Sequence, residues 1–152
     1  SGLIPVDGDP ELARGGVTGR IIRLLYKAFL PDLLVPGDTF MQDHAPVHTA
    51  RIVKEYLDRL SREGDIIIID WPPYSPDLNL IENLWALMKQ EIYKLHPNLE
   101  RAPNTEESRE WLINAAKEAW HNIREAVLIK LSNTMPHRVK AVIEAEGWYT
   151  KY

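Results

Sequence analysis

Apolar positions along the chain fall into alternating helical and strand-like patterns. From Thr18 onward, Ile21, Ile22, Leu24, Leu25, Ala28 and Phe29 form one broad stripe at helical spacing, with Thr18 placed to cap the first turn. Pro31 and Pro36-Gly37 are expected to close that helix. A second stripe, Ile52, Val53, Tyr56, Leu57 and Leu60, predicts a helix over 49–62 with Gly64 just past its end. Between the two, residues 39–43 predict a short strand. Ile66 to Ile69, β-branched throughout, predict a strand covered on both faces. Ahead of all of these, Leu3-Ile4-Pro5-Val6 reads as a strand end running into a loop rich in Gly, Pro and Asp.

The second half is helical in pattern. Three prolines in WPPYSPDLN, residues 71–79, exclude regular structure there. A helix follows over 80–95, then a Pro/Asn loop over 96–104. Asn104 with Glu107 is a capping pair for a long helix over 105–131, with Leu112, Ala116, Ala119, Trp120, Ile123 and Val127 on one face. Pro136 opens a last helix, with Val139, Val142 and Ile143 apolar and Gly147 at its end. Trp85 and Trp120, spaced with aliphatics, are expected in the core. The alternation of helices and strands predicts an α/β fold with a helical tail.

At 152 residues the chain is the size of one domain. It has no cysteine, which excludes disulfides, thiolate zinc sites and cysteine nucleophiles. No apolar run approaches the length of a membrane span and no charged-then-apolar leader opens the sequence, so an intracellular protein with no membrane association is expected. With 18 Lys+Arg against 22 Asp+Glu, the net charge of −4 argues against a stand-alone nucleic-acid binder. It leaves room for an enzyme acting on DNA, whose metal site is itself acidic.

Two carboxylates stand out by position. Asp43 ends the predicted strand in FMQDHAPVH, and Glu82 lies in the first turn of the helix after the proline loop. Carboxylates at strand ends and helix starts of α/β proteins converge where ligands bind, and their hard oxygens suit Mg²⁺ or Mn²⁺. The plainer reading is that Asp43 caps a turn and Glu82 complements a helix dipole. His44 and His48 stand four apart, but Pro46 between them disfavours one shared helix and no third ligand accompanies them, so zinc is the weaker reading. Asp77 reads as a turn residue holding the proline loop. Trp71 and Tyr74 could stack on a base or pack the proline loop. Residues 106–110 read as a solvated first helical turn.

Taken together, QDHAPVH, an apolar strand, and DWPPYSPDLNLIENLWALMK closely resemble the catalytic domain of mariner-like DDE transposases, whose pattern runs strand-QDNAPxH, helix, strand-DWPPYSPDLNPIENLW, helix. LIPVDGDP, GGVTGR and the terminal MPHRVKAVIEAEGWYTKY extend the resemblance over essentially the whole chain. It implies an RNase H-like catalytic domain over 1–152, with Asp43 as the second and Glu82 as the third catalytic, metal-binding carboxylate. It also implies Mg²⁺ or Mn²⁺ as cofactor, DNA as substrate, and a nuclear location in a eukaryote. In such a site, two ions about 3.5–4 Å apart clamp the attacking and leaving oxygens of a phosphodiester displacement. His44, His48, Trp71 and Tyr74 are the candidate DNA contacts.

The departures from the family pattern shape the expectation. The family's first catalytic Asp stands on a strand preceding LIPV, and neither it nor the N-terminal DNA-binding module has a counterpart in these 152 residues. The expected fold is thus an N-terminally truncated RNase H-like domain with C-terminal helices, incomplete or inactive as a nuclease. A repurposed non-catalytic interaction module is the alternative. Asp7 and Asp9 follow the LIPV strand and do not match the first Asp. His44 replaces Asn, Leu80 replaces Pro, and the Asp43–Glu82 interval is a few residues longer than the family pattern, an excess the turn at 61–65 can hold. An incomplete sheet leaves a bare edge beside residues 39–43 and exposes Ile21, Leu24, Leu25 and Phe29, which predicts a homo-oligomer.

Overall fold

The computed structural model describes residues 3–13, 15–73 and 75–152. The chain divides into two units, Val6–Pro73 and Ser1–Pro5 with Tyr74–Tyr152. Among the described residues there are six α-helices and one two-stranded parallel sheet, so the protein is mostly helical. The α/β alternation holds only within the first unit, and no described helix is long and apolar enough to cross a membrane.

In the first unit, helix α1 (Gly19–Leu33) precedes strand β1 (Asp38–Phe40), helix α2 (Arg51–Glu63) and strand β2 (Ile66–Ile68). The strands pair in parallel with Thr39 opposite Ile67, and α2 is the crossover that a parallel pair requires. Thr18 caps α1 by accepting from Ile21 N–H, and Gly64 closes α2 in the left-handed region at φ 83°. The apolar stripes of α1 and α2 meet Ile66 in one core of Ile22, Leu30, Val53, Tyr56 and Leu57. Burying Leu57 or Val53 contributes about 1.5–3 kcal/mol each. At Gly19 a Cβ would stand 2.4 Å from the Ala50 Cβ, so only glycine lets the start of α1 approach the start of α2 this closely.

Asp9 fastens the preceding loop to α1. Its buried carboxylate accepts from Thr18 Oγ1 at 2.6 Å, Glu11 N at 3.0 Å and the Arg20 guanidinium. The Arg20 hydrogen bond, then those from Thr18 and Glu11, hold this carboxyl far below the usual carboxylate range.

The second unit contains α3 (Leu80–Leu95), α4 (Glu106–Asn122), α5 (Glu125–Ser132) and α6 (Met135–Glu144), with 3₁₀ turns at Pro76–Leu78 and Pro97–Arg101. Asn79 caps α3. Three alanines of α4, Ala115, Ala116 and Ala119, are small enough to seat that helix against Ile92 of α3, with Leu99 completing the core. Asp77, on the first 3₁₀ turn, accepts from both N–H and Oγ1 of Thr150 at 2.6 Å, while buried Arg138 of α6 donates to the Asp77 carbonyl at 2.6 Å. Asp77 thus holds the C-terminal tail as well as the proline loop.

Several expectations are corrected. Residues 3–6 form no strand; Leu3 packs instead against the core of the helical unit. Pro31 does not close α1, which continues to Leu33. The ring removes one hydrogen bond near the helix end, while buried Leu30 and the bond from Leu34 N to Leu30 O secure the last turn. β1 ends at Phe40 rather than Asp43, and β2 is covered on one face only, with Ile66 buried and Ile67 57% exposed. The helix expected over 105–131 breaks at Ile123 and Arg124, whose ψ of 109° and 143° are extended, and its cap is Thr105, accepting from Ser108 N. Trp85 and Leu112 are exposed rather than in the core.

Candidate active site

Chain geometry after β1 explains where Asp43 stands. The sequence Asp43-His44-Ala45-Pro46-Val47-His48 folds as two consecutive turns. Asp43 Oδ1 accepts from Ala45 N at 3.0 Å, a local side-chain-to-backbone turn that short acidic residues favour. Ala45 O then accepts from His48 N at 2.9 Å across a turn with Pro46 at its second position, where a fixed φ is preorganised. The chain thereby doubles back and sets the His48 ring against the carboxylate, Nδ1 donating to Asp43 Oδ1 at 2.6 Å.

These bonds engage only Oδ1. Among the described residues Oδ2 has no hydrogen-bond partner, and the Asp43 side chain is 47% exposed. Partial burial pushes this carboxyl up, but the bonds from Ala45 N–H and His48, with the fields of His48 and His44, outweigh it and hold it below the ordinary carboxylate value. Asp43 is therefore an ionised carboxylate with one oxygen fixed and one open beyond the C-terminal end of a parallel strand.

Polar contacts behind this turn reach α1. Gln42 Nε2 donates to the His48 carbonyl at 3.3 Å, and Tyr26 O–H donates to Gln42 Oε1 at 2.9 Å. Tyr26 also meets Phe40 edge-on with ring centroids 5.4 Å apart. Burial, with the negative field of Asp43, pushes the Tyr26 hydroxyl up to about 12, so it remains a donor. His44 Nε2 donates to the Trp71 carbonyl, tying the turn after β1 to the segment after β2.

Of the residues singled out from sequence, the structure thus joins Asp43 to His48 and His44 to Trp71 within one unit. Tyr74 lies outside the described residues. Glu82 lies in the other unit, exposed on the first turn of α3, where its charge complements the helix dipole. Among the described residues no three His, Asp or Glu side chains converge on a common point. Gln42 opens the QDHAPVH motif but carried no role in the sequence reading, and Tyr26 was not signalled by any motif. The Asp-to-His interval with proline inside it was the available sign that His48 returns onto Asp43.

A βαβ unit that displays an open carboxylate past its strand ends is shared by many enzymes, and comparison narrows the class: the chain belongs to the DDE superfamily endonucleases, the family match spanning residues 17–105 and including both Asp43 and Glu82. Within that family its relatives are transposases. Over 116 residues it is 36% identical to the Transposable element Tc1 transposase of Caenorhabditis elegans, covering 76% of this chain and 38% of that protein. It is 35% identical over 113 residues to the Tcb2 transposase of Caenorhabditis briggsae, covering 74% of this chain and 37% of that one. With the Tcb1 transposase of the same organism it shares 31% identity over 144 residues, 90% of this chain and 48% of the relative. The chain spans less than half the length of each, and it is a transposase-derived domain.

Proposed function

We propose that this chain is the C-terminal part of an RNase H-like DDE catalytic domain in which Asp43 and Glu82 supply two of three metal-binding carboxylates for cutting and joining DNA. The observation that carries the reading is the open, ionised Oδ2 of Asp43 just beyond β1. Its oxygen chemistry fits Mg²⁺ or Mn²⁺, as does that of Glu82. The residues present fit two ligands of such a centre and not the third, so a complete site requires a further carboxylate. The ion's contribution, when bound, is to polarise the phosphodiester and activate the attacking oxygen. Asp43 and Glu82 would hold it, and His44, His48, Trp71 and Tyr74 remain the candidate DNA contacts. DNA is the partner under this reading, and a eukaryotic host would hold the protein in its nucleus.

Mn²⁺ titration followed by the electron paramagnetic resonance of the free ion tests the assignment. The expected result is weak binding that falls further in Asp43→Asn and in Glu82→Gln; binding unchanged in both variants would sink it. The second reading is a non-catalytic module descended from a transposase. A reading frame continuing upstream through a strand that bears an Asp supports the enzyme, whereas translation starting at this point supports the module.

We also propose that the protein is a homo-oligomer. The β1–β2 pair has no further strand among the described residues, Ile67 is exposed, and Leu24 and Phe29 of α1 are 51% and 37% exposed, although Ile21 and Leu25 are partly covered. Open edges and apolar patches recruit partners. Sedimentation at micromolar concentration should show a concentration-dependent dimer; a 17.5 kDa monomer at every concentration contradicts it.

A further inference from the structure

We infer that His48 is a positioning residue for Asp43, locked in place by Gln42 and Tyr26, so that a hydrogen-bonded relay from α1 fixes the direction in which Asp43 Oδ2 points. The inference rests on the proposed role of Asp43 as a metal ligand. It changes the role of His48 from a contact for DNA to a support for the carboxylate.

The geometry gives each member one task. Asp43 is half exposed, so packing alone does not select its rotamer. Its two hydrogen bonds do so, and both are made to Oδ1, leaving the other oxygen open. The Ala45 N–H bond is local to the turn, but the His48 bond fixes the carboxylate only if the His48 backbone is itself held. Gln42 supplies that hold through the His48 carbonyl, and Tyr26 orients the Gln42 amide so that its N–H, rather than its oxygen, faces that carbonyl. Tyr26 is anchored on α1 and braced edge-on against Phe40. A carboxylate ligand supported by such outer hydrogen bonds binds its ion more tightly, and removing an outer partner typically weakens binding about 10–100-fold.

Two replacements separate positioning from bulk. His48→Phe keeps a ring of similar size without the donor, and His48→Asn keeps an amide N–H branching at the same point as Nδ1. Three-bond couplings to Asp43 Cγ in the labelled 152-residue chain report its χ1 rotamer without any metal. The expected result is a single rotamer in the wild type and in His48→Asn, and rotamer averaging in His48→Phe. Mn²⁺ affinity should then fall about tenfold or more in His48→Phe and stay close to wild type in His48→Asn. Tyr26→Phe, which deletes one hydroxyl and preserves the contact with Phe40, should shift the couplings the same way, and it carries the test if His48→Phe does not fold. A single unaltered rotamer in both His48→Phe and Tyr26→Phe overturns the inference. So does loss of DNA binding in both His48 variants with the Asp43 couplings unchanged, which would make His48 a DNA contact. Averaged couplings in His48→Phe with Mn²⁺ binding insensitive to Asp43→Asn would instead preserve the positioning and refute the metal role of Asp43.

Discussion

Arg138→Leu is expected to lower the stability of the helical unit by about 3 kcal/mol, read as a lower urea midpoint of the tryptophan emission. Four of the five tryptophans, Trp85, Trp111, Trp120 and Trp148, belong to that unit. Arg138 is 3% exposed; its Nε donates to Thr134 Oγ1 at 2.9 Å, Nη1 donates to the Asp77 carbonyl, and the guanidinium lies 4.7 Å from the centre of the Tyr152 ring. Leucine restores apolar volume but leaves that carbonyl without its buried donor and removes a positive charge near the Asp77 carboxylate. Replacing a buried charge with an apolar side chain can be neutral when its whole polar set leaves with it. Here the acceptors stay behind, so loss prevails.

Asp77→Asn should cost less, about 1–2 kcal/mol, because the amide oxygen still accepts from Thr150. The Asp77 effect also depends on pH. Hydrogen bonds from the Thr150 hydroxyl and N–H, with the charge of Arg138, hold the Asp77 carboxyl below its ordinary value. A depressed folded-state value means that the stabilisation is present above the unfolded carboxylate range, near pH 4, and is lost as pH falls through the folded value. The gap between wild type and Asp77→Asn should therefore hold from pH 7 to about 5 and narrow on further acidification. A gap that does not change with pH would show that the carboxylate charge has no part in the latch.

How far the sequence was legible varies with the kind of constraint. Helices with a regular stripe were readable: Thr18 caps α1, α3 covers 80–95 as its pattern implies, and the inward face of α2 carries Val53, Tyr56 and Leu57 as its spacing implies. The break between α4 and α5 was not readable, since no proline or glycine marks it; Asn122 there bonds across to Glu91 of α3, a tertiary contact that no local pattern shows. Pro31 misled because proline's effect depends on where in the helix it falls. The four isoleucines announced a strand, but not that Ile67 would face outward, because coverage depends on which elements lie on each side of the sheet. At the candidate site, the carboxylate and the turn were legible from Asp43 and Pro46. The relay was not, because Tyr26 and Gln42 come together with His48 only after α1 and β1 pack.

Supercoiled plasmid incubated with the 152-residue chain and Mg²⁺ or Mn²⁺ is expected to remain closed, nicked no faster than with Asp43→Ala or Glu82→Ala. In-line displacement needs ions that clamp the attacking and leaving oxygens, and these contribute several kcal/mol to the transition state, on the order of a thousand-fold or more in rate. Asp43 offers one open oxygen and Glu82 one exposed carboxylate, and no three such side chains converge among the described residues. Asp9, the nearby acid most deeply buried, is not a free replacement: Arg20, Thr18 and Glu11 N–H occupy both its oxygens. Detaching it would cost those bonds and release the loop from α1. Rapid metal-dependent nicking abolished by Asp43→Ala or Glu82→Ala would show that two carboxylates suffice. Nicking abolished by Asp9→Ala as well, with α1 still folded by circular dichroism, would mean that the loop opens and lends its carboxylate to the ion. The expected outcome is neither, because the Arg20 guanidinium already pairs with the Asp9 carboxylate and its positive charge opposes a second cation there.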